Sequence, residues 1–125
     1  MIFIVEANIV FQALMKRGFI FRLIKQLSKI GVKLYSPEFV SKEIRNRENR
    51  LLEYSGLTKS ELEFLINLLF KKIEIVPEQK YSSFISSALL IFPEHTKDAP
   101  YFALALSSRE FVLWSDEKRH KKQSK

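Results

Sequence analysis

Short apolar runs along the chain predict four buried β-strands. The first run begins at Met1 and leads directly into Glu6 and Asn8, as M-I-F-I-V-E-A-N. A continuous apolar run of this length is typical of a strand covered on both faces in a parallel sheet. Polar residues at the carboxyl end of such a strand lie where open α/β sheets place their functional sites. The other predicted strands cover residues 32–36, 73–76 and 111–114.

Segments with helical periodicity separate these strands. Asn8 is positioned to cap the first helix, and Thr58 with Glu61 forms a capping box at the start of another. The predicted helices run from Asn8 to Gly18, from Phe19 to Ile30, from Pro37 to about Tyr54, from Thr58 through Leu69, from Tyr81 to Phe92 and from Asp98 to Arg109. Strands separated by helices predict parallel pairing in an α/β sandwich, with two helices between successive strands.

Composition indicates one small domain with a substantial hydrophobic core. The chain has 125 residues, of which 46% are hydrophobic. It contains no Cys, which excludes disulfides and thiolate metal sites and agrees with a reducing, cytoplasmic location. No charged segment precedes the first apolar run, and no apolar run approaches the roughly 18 residues of a membrane span. We therefore expect neither a secretory signal nor a membrane segment.

The basic excess of the chain is concentrated at its end. The net charge is +7, but residues 118–125 hold five basic residues and no acid, so the rest of the chain carries only +2. We therefore predict a domain at residues 1–117 and a basic tail at residues 118–125. A basic tail suits a polyanion such as nucleic acid, and a solvated, disordered end is an equal alternative. The candidate nucleic-acid contacts are Lys118, Arg119, Lys121 and Lys122.

Two helices carry an acid on a face that is otherwise apolar. At about 100° per residue, Glu43 falls roughly 40° from Phe39, inside the apolar stripe of its helix. Asp98 falls on the same face of its helix as Phe102. Singly, Glu43 could be a boundary residue and Asp98 an N-cap. Together with Glu6 at the end of the first strand, they predict carboxylates that converge on one edge of the sheet.

Converging carboxylates repel one another unless they bind protons or share a cation. Asp116 and Glu117 follow the fourth strand, where they could form a plain polar turn or add to this cluster. Oxygen ligands without Cys or paired His favour a hard ion, Mg²⁺ or Mn²⁺, which can activate water at a phosphodiester. His95 and His120 lack a ligand-like spacing, so we predict that both are surface residues.

Four segments of the chain resemble the sequence blocks of PIN-domain nucleases, the toxin-type ribonucleases. V-E-A-N-I-V resembles their V-D-T-N-V-L opening, and L-Y-S-P-E-F-V-S-K-E-I resembles their second block, in which Glu43 is the acid. D-A-P-Y-F-A-L-A-L resembles the third block, with Asp98 as its acid. L-W-S-D-E-K resembles the fourth, a Ser or Thr, any residue and then an acid, so that Ser115 and Glu117 match and Asp116 occupies the free position.

The resemblance implies a three-layer α/β/α sandwich with a central parallel sheet. It also implies an Mg²⁺- or Mn²⁺-dependent endoribonuclease that cleaves single-stranded RNA, with Asn8 and Ser115 in supporting roles. The implied catalytic carboxylates are Glu6, Glu43, Asp98, Asp116 and Glu117, and all of them except Glu43 are implied metal ligands. Many family members form homodimers and act as the toxin of a toxin–antitoxin pair, which implies an antitoxin protein as a partner.

Three residues differ from the family pattern. Glu6 replaces the leading Asp, Ala7 replaces the following Thr, and Glu117 stands where Asp is usual. The family's last strand, after the fourth block, is absent from the predicted elements. These differences keep an alternative open: a degenerate PIN-like module that binds RNA or a partner without cleaving.

Two other α/β classes are weaker alternatives. A response-regulator-like receiver also has acids at strand ends, but it needs an Asp at the end of a central strand. The third predicted strand ends in Val76-Pro77-Glu78 instead. The last alternative is an unrelated α/β binding module.

Overall fold

The computed structural model describes residues 1–15 and 18–115, and in these ranges four strands form one parallel sheet. The strands are β1 (Ile2–Val5), β2 (Lys33–Pro37), β3 (Ile73–Val76) and β4 (Phe111–Trp114). Their order across the sheet is β3-β2-β1-β4, and each neighbouring pair is parallel. Because β1 is flanked on both sides, its carboxyl end lies in the middle of one edge of the sheet.

Helices cover both faces of this sheet. Those in the described part of the chain are α1 (Ala7–Met15), α2 (Phe19–Lys29), α3 (Phe39–Asn46), α4 (Glu48–Ser55), α5 (Lys59–Phe70), α6 (Ile85–Ile91) and α7 (Ala99–Leu106). Val5 belongs to the core formed with α1 to α5, whereas its neighbour Ile4 belongs to the core formed with α6 and α7. Successive strand residues point to opposite faces, so these two cores confirm the predicted three-layer α/β/α sandwich.

The capping box at the start of α5 is confirmed. The backbone N–H of Glu61 donates to the Thr58 hydroxyl at 3.1 Å, and the backbone N–H of Thr58 donates to the Glu61 carboxylate at 2.9 Å. These two bonds satisfy donors that the first helical turn leaves without partners. Hydrogen bonds from the backbone and the side chain of Thr58 also lower the pKa of Glu61, because they stabilise its charged form.

The start of α1 differs from the prediction. Asn8 was expected to cap this helix, but the helix already begins at Ala7. The backbone carbonyl of Glu6 accepts hydrogen bonds from the N–H groups of Ile9 and Val10, at 3.0 and 3.3 Å. The chain therefore enters α1 directly from β1, and Asn8 lies inside the first helical turn.

The third predicted helix was also wrong in its start and its continuity. Pro37 does not open it but ends β2, where it pairs with Val76 of β3. The predicted single helix is broken at Arg47, whose backbone angles are φ −112° and ψ 16°, so that α3 and α4 are separate. Three helices, not two, consequently lie between β2 and β3. Residues 45–50, which span the break, are all polar.

The last two helices are shorter than the periodicity predicted. Two 3-10 turns, Glu78–Lys80 and Ser82–Phe84, precede α6, which begins at Ile85 instead of Tyr81. Helix α7 begins at Ala99 and ends at Leu106, so Asp98 precedes it and Arg109 lies beyond it. Tyr81, which lies between the two turns, is buried. The packing of its side chain in the protein interior competes with the formation of a continuous helix. In the described ranges, no helix is both long and apolar enough to cross a membrane.

Candidate active site

Glu6 is the buried acid at the centre of the site. Its side chain is only 2% exposed, and its backbone N–H donates to the carbonyl oxygen of Trp114 at 3.3 Å. On the other side of β1, the buried Ser36 hydroxyl donates to the carbonyl of Val5 at 2.8 Å. These bonds tie the carboxyl ends of β4, β1 and β2 together. Glu6 also lies at the amino end of α1, where the helix dipole favours a negative charge.

Glu43 reaches the same place from α3. The hydroxyl of Tyr101, on α7, donates to the Glu43 Oε1 atom at 2.5 Å. Tyr101 is fully buried, and its ring also packs edge-on against Phe39, with centroids 6.2 Å apart. A buried hydroxyl on one helix therefore fixes the orientation of a half-buried carboxylate on another.

Asp98 lies immediately before α7, as the sequence predicted. It occupies the N-cap position, yet its side chain makes no capping hydrogen bond to the first turn of α7. Instead, Asp98 lines a cleft of about 380 Å³ together with Glu6 and Glu43. Asn8, predicted as a supporting residue, lines the same cleft. The structure thus brings together Glu6, Glu43 and Asp98, although the roles assigned to them stay predictions.

The electrostatics of the cleft shows how close these carboxylates are. The pKa of Glu43 is raised above its usual value, first by burial and then by the charge of Asp98. The Tyr101 hydrogen bond and the charge of Arg47 act in the opposite direction but do not cancel this increase. Burial also raises the pKa of Tyr101, and the charges of Glu43, Glu6 and Asp98 raise it further. All three carboxylates therefore act on the Tyr101 hydroxyl, which stays protonated and can donate its hydrogen bond.

The donor atoms in the cleft suit a hard divalent cation, because they are carboxylate oxygens. In residues 1–15 and 18–115, however, no three His, Asp or Glu side chains form a ready-made metal cluster. Ser115 directly follows β4, one residue after the last pair of the sheet, Val5 with Trp114, and is half-buried. Asp116 and Glu117, the predicted ligands of the fourth block, lie outside the described residues. A complete ligand set would therefore combine Glu6 and Asp98 with these later acids.

The prediction of a surface position for His95 was wrong. Its side chain is 3% exposed, lines the cleft and packs against Phe102, with ring centroids 6.2 Å apart. His95 immediately precedes the 3-10 turn Thr96–Asp98, and this turn folds the segment back against α7. Nothing in the local sequence indicates that contact. His120 lies outside the described residues, as do Lys118, Arg119, Lys121 and Lys122 of the predicted tail.

Sequence reasoning also missed two residues that the cleft depends on, Tyr101 and Arg47. A usable signal was present for both, because residues three or four positions apart lie on the same face of a helix. Tyr101 is three positions after Asp98, and Arg47 is four positions after Glu43. The polar atoms of these side chains could thus have been placed next to the predicted acids.

Comparisons with known proteins agree with this architecture. The chain matches the PIN domain family over residues 4–120. Its fold is similar to that of a chain in the crystal structure of VapBC2 from Rickettsia felis bound to a DNA fragment from their promoter. That match has a TM-score of 0.74 and 14% sequence identity, and it covers 98% of this chain and 92% of the other. A sequence comparison with curated proteins gives no match.

Proposed function

This chain belongs to the PIN-domain family, and from that premise we propose that it is an endoribonuclease that cleaves single-stranded RNA with the help of Mg²⁺ or Mn²⁺. Members of the family are nucleases that generally depend on divalent metal ions. The observation that carries the proposal is the single cleft lined by Glu6, Glu43 and Asp98, which come from three separate segments of the chain.

The carboxylates of the cleft have two different proposed roles, metal binding and proton transfer. Glu6 and Asp98 would hold the cation together with Asp116 and Glu117, and the bound ion would activate water and neutralise charge at a phosphodiester. Glu43, which Tyr101 orients, would accept a proton from the attacking water at its carboxylate. Burial favours this role, because a raised pKa brings a carboxylate closer to the range in which it is an effective base at neutral pH. Asn8 and Ser115 would support the site from its walls.

Metal binding can be tested before any natural substrate is known. We expect Mn²⁺ to bind the wild type in a calorimetric titration and to bind Asp98→Asn at least about tenfold more weakly, because the charge count of the ligands sets affinity for hard ions. Glu74→Gln is the matched control, because it removes one negative charge from an exposed position on β3. Cleavage of a single-stranded RNA with Mn²⁺, and its loss with EDTA, completes the test.

The specific alternative is a degenerate module that binds RNA or a partner without cleaving. Glu6 in place of Asp and Ala7 in place of Thr favour it. In that case, Mn²⁺ binds the wild type no better than it binds Asp98→Asn. RNA binding then persists in EDTA, but no cleavage accompanies it.

The basic segment at residues 118–125 is proposed to be a tail that binds the RNA backbone, separate from a domain at residues 1–117. Neutralising Lys118, Lys121 and Lys122 together should weaken RNA binding for every sequence and flatten its salt dependence, because each phosphate contact adds to that slope. Fluorescence anisotropy over a series of salt concentrations measures both. An equal loss after neutralising Lys33, Lys71 and Lys72 would show that only net charge matters.

The proposed biological role follows from the toxin-type members of the family. We propose that the chain acts as the toxin of a toxin–antitoxin pair. In this role it would bind an antitoxin protein and form a homodimer. The fold similarity to a chain of the VapBC2 complex supports this proposal. Co-expression with the protein encoded next to it, followed by size-exclusion chromatography, tests for both assemblies. The cytoplasmic location stays a prediction from the sequence.

A further inference from the structure

Two cations, Arg47 and Lys97, line the acid-lined cleft and have no part in the roles proposed above. Arg47 lines the cleft next to Glu43, and its side chain is exposed. It lies at the break between α3 and α4, where the helical path changes direction. A nucleic acid that enters this cleft brings negative phosphates towards several carboxylates, and a cation in the wall offsets that repulsion.

The guanidinium group of Arg47 lies over an aromatic ring. Its central carbon lies 5.1 Å from the centroid of the Phe11 ring, which is buried in α1. A guanidinium over an aromatic ring is attracted by the negative face of the ring. A contact of this kind does not require the N–H donors at the edge of the group. That planar fork matches the geometry of two phosphate oxygens.

We propose that Arg47 binds a phosphodiester of the nucleic-acid strand and holds that strand across the cleft, with Phe11 as the residue that positions the guanidinium. This inference rests on the proposed function, because it takes a single-stranded nucleic acid as the ligand. It assigns Arg47 to substrate binding, not to the metal or to proton transfer. Phe11 acts only through Arg47 and is therefore a positioning residue.

The chain offers a matched control two residues away. Arg45 is also exposed and lies in the last turn of α3, just before the break, but it lines a different surface pocket together with Lys42 and Tyr81. Arg47→Gln and Arg45→Gln change the net charge equally. A difference between the two variants therefore reports where the charge lies and not how much charge the protein has.

The experiment measures binding of a labelled oligouridine of about 12 nucleotides by fluorescence anisotropy in EDTA, over a series of salt concentrations. We expect Arg47→Gln to weaken binding and to lower the slope of log affinity against log salt by about 0.7, the value for one phosphate contact on a single strand. Arg45→Gln should leave that slope close to the wild-type value. Arg47→Lys, which keeps the charge but loses the fork and the ring contact, should fall between wild type and Arg47→Gln.

Phe11→Leu tests the positioning role, because it leaves every charge in place and keeps an apolar side chain in the core. We expect weaker RNA binding in this variant and, in the double variant with Arg47→Gln, no loss beyond that of Arg47→Gln alone. Additive losses in the double variant would show that Phe11 does not act through Arg47. A thermal unfolding curve for each variant identifies any loss of RNA binding that is due to unfolding. Arg47→Lys provides a second test, because it leaves the core unchanged.

Equal slopes for Arg47→Gln and Arg45→Gln would overturn the inference. If the wild type still cleaves RNA with Mn²⁺ in that case, the proposed function stands without it. If the wild type does not cleave but Arg47→Gln alone lowers the slope, the inference stands and the nuclease proposal fails. A parallel series with oligothymidine distinguishes an RNA phosphate from a DNA phosphate as the ligand. A change in the salt slope with RNA, whether or not DNA shows it too, supports the contact. No change in the slope with either ligand excludes it.

Discussion

Glu6→Gln is expected to abolish the metal-dependent cleavage of single-stranded RNA, with a loss of at least about 100-fold in rate. Glu6 is buried to 2% exposure at the carboxyl end of the central strand β1. Gln keeps the shape of the side chain but removes the charge that would hold the cation. It also relieves repulsion among the carboxylates that line the cleft, so the melting temperature in EDTA should not fall. Loss of activity without loss of stability would separate the chemical role from a structural one.

Glu6→Asp distinguishes an active enzyme from a degenerate module. It restores the residue that the family has at this position but shortens the side chain by one methylene. In an active enzyme the cleft is adapted to Glu, so Asp should leave the rate unchanged or lower it. In a degenerate module Asp should raise cleavage from near zero. Initial rates with Mn²⁺ for wild type, Glu6→Gln, Glu6→Asp and the control Glu74→Gln decide the question, and equal rates for all four would exclude Glu6 from any site.

The central sheet could be predicted from sequence because burial on both faces leaves a clear signal. Residues 73–76 and 111–114 were predicted as strands, and β3 and β4 have the same bounds. Glu6 could be placed as well, because an acid that ends a buried strand must lie at the edge of the sheet. The capping box at Thr58 was equally clear, since both of its side chains act within one helical turn.

The errors have a different physical origin. The break at Arg47 and the 3-10 turns before α6 depend on contacts between distant segments, which periodicity does not report. His95 is a polar residue in a short turn, so its burial against Phe102 has no local signature. Tyr101 reads as a core aromatic in an apolar stripe, and its spacing from Asp98 does not indicate that its hydroxyl donates to Glu43 of another helix.

Tyr101→Phe is expected to destabilise the protein and to slow cleavage, although it removes a single oxygen atom. A hydrogen bond to a charged group contributes about 1.5–3 kcal/mol, so the free energy of unfolding should fall by that amount near neutral pH. Without this donor, Glu43 loses its fixed orientation, and a misplacement of about 1 Å can reduce a rate by about 100-fold. Tyr81→Phe is the matched control, because Tyr81 is also a buried tyrosine, with a pKa raised to about 12, but it lies outside the cleft.

The loss of stability should depend on pH, and its sign follows from Glu43. The folded protein raises the pKa of Glu43 above its usual value of 4.5, so it binds more protons than the unfolded chain in that range. Its stability therefore falls as the pH rises from about 4.5 through the raised pKa. The Tyr101 hydrogen bond lowers the pKa of Glu43. Removing that bond in Tyr101→Phe therefore raises the pKa of Glu43 further and enlarges the loss of stability at a pH above this pKa.

Urea unfolding in EDTA, near pH 7 and again below about pH 4, measures this dependence without the metal. The difference in unfolding free energy between wild type and Tyr101→Phe should be largest near pH 7 and should shrink at the acid end, where Glu43 is neutral in both proteins. Tyr81→Phe should show no such shrinkage, because the cleft carboxylates do not surround its hydroxyl. A Tyr101→Phe deficit that is the same at both pH values would mean that the hydroxyl contributes packing alone, and the proposed orientation of Glu43 by Tyr101 would then fail.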